Sequence, residues 1–252
     1  MKKLFLVYLM SIFSLTLHAQ SASTLYDRGF LCYNSQLYNK AISLWEQCIN
    51  KQYYANGDVY LYIYNAYDQS GRSHKGFKYL EEGVKLFPKN NKLTECYFLN
   101  MDEDPKEVLR IMNRISNLKM SSVLYMIKGD CYSMLGDFLQ AIVNFKKSLE
   151  FDNYDNENWI FLGDAYLSLA KQVANTGVVG NINEEYDQII KDSISAFEKG
   201  VSYAEDSALK NCALGRLSLL YETLLYYSPD SIDYKNKYEY YTKLFNDVVE
   251  SE

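Results

Sequence analysis

Gly129 and Gly163 stand 34 residues apart in this 252-residue chain, and each carries an aromatic residue four positions before it (Tyr125, Trp159) and a tyrosine three positions after it (Tyr132, Tyr166). A recurrence at that period means that the chain repeats one supersecondary unit, and a unit of that length has room for two helices and a turn. The stretch from Tyr125 to Asn153 shows how the unit works. Its first half places Tyr125, Gly129 and Tyr132 on one helical face, and its second half does the same with Phe138, Ala141, Phe145 and Ser148. The break falls at Gly136-Asp137. Small residues stand where two helices must approach and bulky ones fill the space beside them.

The same pattern runs through the rest of the chain. Leu25, Gly29 and Cys32 precede Tyr38, Ala41, Trp45 and Cys48, with the turn at Asn34-Ser35-Gln36. Next come Tyr60, Tyr64 and Tyr67, then Gly76, Leu80 and Gly83, and Pro88 stops the second helix because it cannot donate to the preceding turn. Gly76 stands 35 residues after Ala41 and takes its place. A third unit, residues 91–118, has helical spacing at Leu93, Cys96, Tyr97 and Leu99 and again at Val108, Leu109, Met112 and Ile115, but lacks the small residues that let helices touch. In the fifth unit Phe197 and Gly200 arrive about 18 residues late, so an insertion near 171–188 is expected to make that helix pair taller, with a tip at Thr176–Asn181. A sixth pair takes Ala208 to Tyr226 and a helix opened by Pro229-Asp230.

These Gly, Tyr, Ala and Phe positions resemble the tetratricopeptide repeat, a helix-turn-helix of about 34 residues. The resemblance covers roughly Ser23 to Phe245. It implies an all-α, right-handed solenoid of about six helix pairs in a single domain, residues 21–252, with units at 22–55, 57–90, 91–118, 122–155, 156–204 and 206–250.

Ahead of the repeats, Met1-Lys2-Lys3 leads into an uncharged run from Leu4 to Leu17, and small polar residues follow Ala19-Gln20. This is the pattern of a cleavable signal peptide over residues 1–20, too short for the roughly 20 apolar residues of a membrane span. No cysteine lies near the cut, so the exported product, periplasmic, envelope-associated or secreted, is not read as a lipoprotein. Cleavage removes Lys2 and Lys3 and takes the formal charge from −6 to −8, which disfavours nucleic acid and anionic membranes as partners. The five cysteines have no CxxC or Cys/His spacing and give no metal site. Export permits a Cys32–Cys48 disulfide, but strict disulfide geometry favours reading the two as small buried free thiols, with the bridge as the alternative.

Catalytic material is scarce. His18 falls in the signal and His74 in a turn, which leaves no Ser-His or Cys-His nucleophile, and no glycine loop is built to cradle a phosphate or cofactor. The chain reads as a non-enzyme without cofactors. The resemblance implies a concave groove lined by the first helix of each repeat, here Tyr26, Phe30 and Tyr33, then Tyr62, Asn65 and Asp68, then Met126 and Asp130, then Phe161 and Asp164. Such a lining, aromatic and acidic, suits a peptide or extended protein segment with basic and apolar residues. An alternative is glycan binding in a surface uptake system, through ring stacking, although Trp45 and Trp159 both take core positions in the register. Asp192-Ser193-Ile194, Asp206-Ser207-Ala208 and Asp230-Ser231-Ile232 resemble an O-glycosylation pattern of exported proteins, with Ser193 expected to be buried.

Overall fold

The computed structural model describes residues 21–175, 182–205 and 208–250, with the side chains at 175 and 182–185 left aside. The expected signal peptide and the insertion tip at 176–181 therefore lie outside the described residues. Twelve α-helices make up the described chain: α1 (Ala22–Asn34), α2 (Tyr38–Asn50), α3 (Asp58–Gln69), α4 (Ser73–Leu86), α5 (Asn91–Leu99), α6 (Pro105–Arg114), α7 (Ser122–Met134), α8 (Phe138–Phe151), α9 (Asn156–Asn175), α10 (Ile182–Tyr203), α11 (Ala208–Tyr227) and α12 (Ile232–Val249). They gather into two compact units. One comprises the chain up to Asp102 with Arg114–Lys119, and the other Glu103–Asn113 with Met120 onward. The division falls between α5 and α6, the degenerate third pair.

In the first unit α1 starts at Ser21, whose side chain accepts a hydrogen bond from the Thr24 amide at 3.1 Å and so satisfies a backbone donor that the helix leaves free. The helix buries Leu25 and Gly29 against α2. A Cβ on Gly29 would lie 2.2 Å from Trp45 Nε1, so only glycine lets that indole lie against α1. Trp45 is fully buried and its Nε1 donates to the Tyr26 carbonyl at 3.2 Å. The turn that reverses the chain uses a left-handed residue two positions before the second helix, Gln36 at φ 59° between α1 and α2 and Gly71 at φ 70° between α3 and α4. Val59, Tyr60, Ile63, Leu80 and Leu93 complete this core at 1% exposure or less.

The second unit repeats the same lock. A Cβ on Gly129 would meet the Phe145 ring at 2.7 Å, and one on Gly163 would meet the Phe197 ring at 2.8 Å. The glycine-to-aromatic separation is 16 residues in α7–α8, as in α1–α2, and 34 in α9–α10, which places the added residues between two halves of an unchanged contact. They lengthen α9 to 20 residues and α10 to 22. Ile189, Ile190 and Ile194 are buried in α10, with Ala170 of α9 in the same core. The following pair is tall as well, α11 having 20 residues and α12 having 18. The last helix begins after Ser231, whose side chain caps it at the Tyr234 amide, rather than at Pro229.

The five cysteines are free thiols, with no Cys32–Cys48 bridge. In an antiparallel pair the end of one helix lies beside the start of the other. Cys48 accordingly sits near the start of α1, its Sγ donating to the Ala22 carbonyl at 3.4 Å. Cys32 is ten residues further along α1, about 15 Å at 1.5 Å per residue, whereas a disulfide needs Cα atoms within about 7 Å.

Candidate functional site

The first unit brings its predicted residues together. α1 and α3 are the first helices of adjacent pairs, and their facing residues Tyr26, Phe30 and Tyr62 form a continuous ring cluster. Ring centroids are 4.9 Å apart for Tyr26–Phe30, 4.6 Å for Phe30–Tyr62 and 6.2 Å for Tyr26–Tyr62. Tyr53, from the connection between the pairs, adds an edge contact to Tyr26 at 5.5 Å. All four are half-buried. Beneath them Trp45 touches Phe30, Tyr33 and Tyr62 at 5.4, 5.9 and 5.7 Å. The cluster is thus a lid on the core as well as a surface.

Carboxylates edge this lid. Burial raises the Tyr26 hydroxyl well above its ordinary range, and Tyr62 and Asp58 add to the effect. Burial likewise raises Tyr33, with Tyr38 and Asp68 contributing. Asp68 itself is exposed and Asn65 half-buried. The Cys96 thiol is pushed up to about 11, first by burial and then by the Asp68 charge. Asp58 is partly engaged, its Oδ1 accepting from Asn90 Nδ2 at 2.7 Å. The 34-residue register names neither Tyr53 nor Asp58, because the link between pairs has no fixed place in the repeat.

In the second unit Met126 of α7 and Phe161 of α9 pack against the core, the latter 6.0 Å from the Phe145 ring. Asp130 is exposed, with its carboxyl raised by desolvation. Asp164 is already in an ion pair, its Oδ1 2.8 Å from Arg216 Nε on α11. Desolvation raises its carboxyl, and Arg216 and Lys171 pull in the other direction. Arg216 was out of reach of the sequence register, since the insertion displaces everything after Tyr166.

Trp159 packs against the core of the second unit, as its register places it, but is not fully enclosed. It is partly exposed, its Nε1 donates to the Asn153 carbonyl at 2.8 Å, and the Lys199 ammonium stands 4.1 Å from the ring centroid. Ser193 is fully buried as expected and donates to the Gly163 carbonyl at 2.9 Å. Ser231 is engaged as the cap of α12. Asp206 and Ser207 lie outside the described residues. Among the described residues no group of three or more His, Cys, Asp or Glu is placed to hold a metal ion, and no helix is long and apolar enough to cross a membrane.

No protein-family profile matches the chain, and neither does any curated protein. Solved structures do. Human IFIT1, solved as a dimer with m7Gppp-AAAA, matches at a TM-score of 0.52 and 16% identity, over 90% of this chain and 50% of that one. PilW, a type IV pilus biogenesis factor, matches at 0.49 and 16% identity over 86% and 98%. A TPR repeats protein from Bacteroides fragilis matches at 0.35 and 18% identity over 93% and 88%. At such identities the likeness concerns the fold alone. The IFIT1 match agrees with the repeated glycine–aromatic lock, which defines the class: an all-α solenoid built of tetratricopeptide-like helix pairs.

Proposed function

We propose that the chain is an exported, non-catalytic protein-interaction scaffold of the cell envelope. Its first-helix faces take a peptide or extended segment of a partner that carries basic and apolar side chains. The observation that carries this reading is the half-buried cluster of Tyr26, Phe30, Tyr53 and Tyr62 on α1, α3 and the link between them, with Asp58 and Asp68 at its edges. Aromatic rings already held by one another lose little freedom on binding, and the carboxylates favour a cationic guest. Met126, Asp130 and Phe161 offer a second such face on the other unit. Asp164 contributes less there, because Arg216 occupies it.

The test uses substitutions that spare the Trp45 lid. Tyr26→Ala with Asp68→Lys removes one ring and reverses one charge, leaving Phe30 and Tyr62 over the indole. Affinity purification from the native envelope should enrich a partner with the wild-type chain and lose it with the double variant, while the melting temperature moves by only a few degrees, about 1 kcal/mol. Equal recovery by both proteins would sink the proposal.

A further inference from the structure

In the unit that holds α7 to α12, three residues occupy one equivalent place on successive first helices. A Cβ on Gly129, Gly163 or Gly215 would lie 2.7, 2.8 or 3.2 Å from Phe145, Phe197 or Phe245, the ring that the second helix of each pair lays against the first. The residues that directly follow these glycines are Asp130, Asp164 and Arg216. They stand on α7, α9 and α11, and α9 touches both of the others.

One of the two aspartates already holds a cation. Arg216 Nε lies 2.8 Å from Asp164 Oδ1, and the guanidinium carbon lies 5.9 Å from the Phe197 ring centroid. The arginine is thus held by a carboxylate and by the locking ring of the same pair. Asp130 has the equivalent carboxylate without the cation: among the described residues no hydrogen bond or ion pair reaches it. Desolvation raises its carboxyl with no cation opposing, whereas Arg216 and Lys171 oppose the same effect at Asp164. Asp130 remains open to a guest, being exposed, and Met126, one turn earlier on α7, is half-buried on the same helix face.

The pair within the chain selects the occupant. A neutral guest would cover the Asp130 carboxylate and leave its charge uncompensated, and an acidic one would be repelled. Between the two basic side chains, a guanidinium is the more weakly hydrated and can bond both carboxylate oxygens at once, so it gives up less on entering a partly desolvated place than an ammonium does. Arg216 on Asp164 shows that the equivalent place accepts one. The first unit lacks this feature at its first contact glycine, because the residue after Gly29 is Phe30.

We propose that Asp130 selects the partner segment by pairing with one of its arginine side chains, as Asp164 pairs with Arg216 within the chain, while Met126 takes the methylene stem of that arginine. This rests on the scaffold reading above and names the residue that its second face recognises. Random peptides displayed on phage are selected on the wild-type chain, and a selected peptide is then measured by calorimetry. Arginine is enriched among the selected sequences. Asp130→Asn weakens the peptide about tenfold, exchange of its arginine for glutamine weakens it equally, and the two changes together cost no more than either alone. Lysine in place of that arginine recovers only part of the loss. Asp130 is exposed and its carboxyl is desolvated, so Asp130→Asn keeps the wild-type melting temperature. The proposal fails if no peptide is selected, if the selected peptides lack arginine, if Asp130→Asn binds as wild type does, or if the two losses add. Partner capture that survives Asp130→Asn but is lost with Tyr26→Ala and Asp68→Lys removes the arginine assignment alone, whereas capture that survives both removes the scaffold reading as well.

Discussion

Three glycines do the same work at the residue scale. Gly29, Gly129 and Gly163 each lie under an aromatic ring of the second helix of the pair, at distances that no Cβ could share. Alanine at such a site gains about 1 kcal/mol of helix propensity and meets an overpacking cost of roughly 1–3 kcal/mol. The cost wins where the ring cannot retreat. Gly163→Ala is therefore expected to destabilise by about 1 kcal/mol, while Gly29→Ala, which also threatens the Trp45–Tyr26 hydrogen bond, costs about 2–3 kcal/mol. Urea unfolding of the two variants checks the order, and a stabilised Gly29→Ala would refute the lock. These glycines were legible in the sequence because their chemistry repeats at a fixed spacing. The register places Trp159 correctly on the core face, but a position in the first turn of α9 also reaches the preceding loop, so the ring packs on the core while its Nε1 bonds the Asn153 carbonyl.

Between elements, four tyrosine hydroxyls bonded to glutamates provide ties. Tyr79 of α4 donates to Glu46 of α2 at 2.5 Å, and Tyr60 of α3 to Glu82 of α4 at 3.3 Å. The densest tie is Glu198 on α10, whose Oε1 accepts from Tyr221 of α11 at 3.0 Å, and from Lys237 and Tyr241 of α12 at 2.8 and 2.9 Å. Burial acts to raise the Glu198 carboxyl, but the Lys237 and tyrosine hydrogen bonds outweigh it and hold it below the usual range. A carboxyl depressed in the folded state stabilises above its unfolded value, about 4.3, and that contribution is lost as pH falls through the folded value. Acid unfolding of Glu198→Gln should accordingly show a shallower stability loss below about pH 4.5 than wild type. Superimposable pH profiles would show that the tie does not matter. Asp130 and Asp164, both raised, act with the opposite sign and are left untouched by this comparison. The sequence shows the tyrosines but not their partners, because the Glu198 contacts with Tyr221, Lys237 and Tyr241 span 23, 39 and 43 residues and follow no repeat.

At the scale of the whole molecule the fold class was legible because every complete pair restates it, and the break between the two units falls where the restatement fails, in the stretch without the small contact residues. The state of Cys32 and Cys48 was open in the sequence, because spacing along the chain says nothing about which ends of antiparallel helices meet. The cysteines give the last prediction. A thiolate is the reacting species, so reactivity follows exposure and acidity. Cys212 is exposed, Cys32 partly so, and Cys48 is buried with its thiol raised by burial. Burial pushes Cys96 and Cys131 up to about 11. At pH 8 a thiol of that acidity is thiolate in only about one molecule in a thousand, against roughly one in four for an ordinary cysteine. Alkylation of the native, unreduced protein should therefore label Cys212 first and Cys32 next, with Cys48, Cys96 and Cys131 lagging far behind. Denaturation without reductant should release all five, as the structure requires. A count of three after denaturation would mean that two cysteines are bridged. Because Cys32 and Cys48 sit at opposite ends of their helix pair, mass spectrometry showing a bond between them would also overturn the packing of α1 on α2.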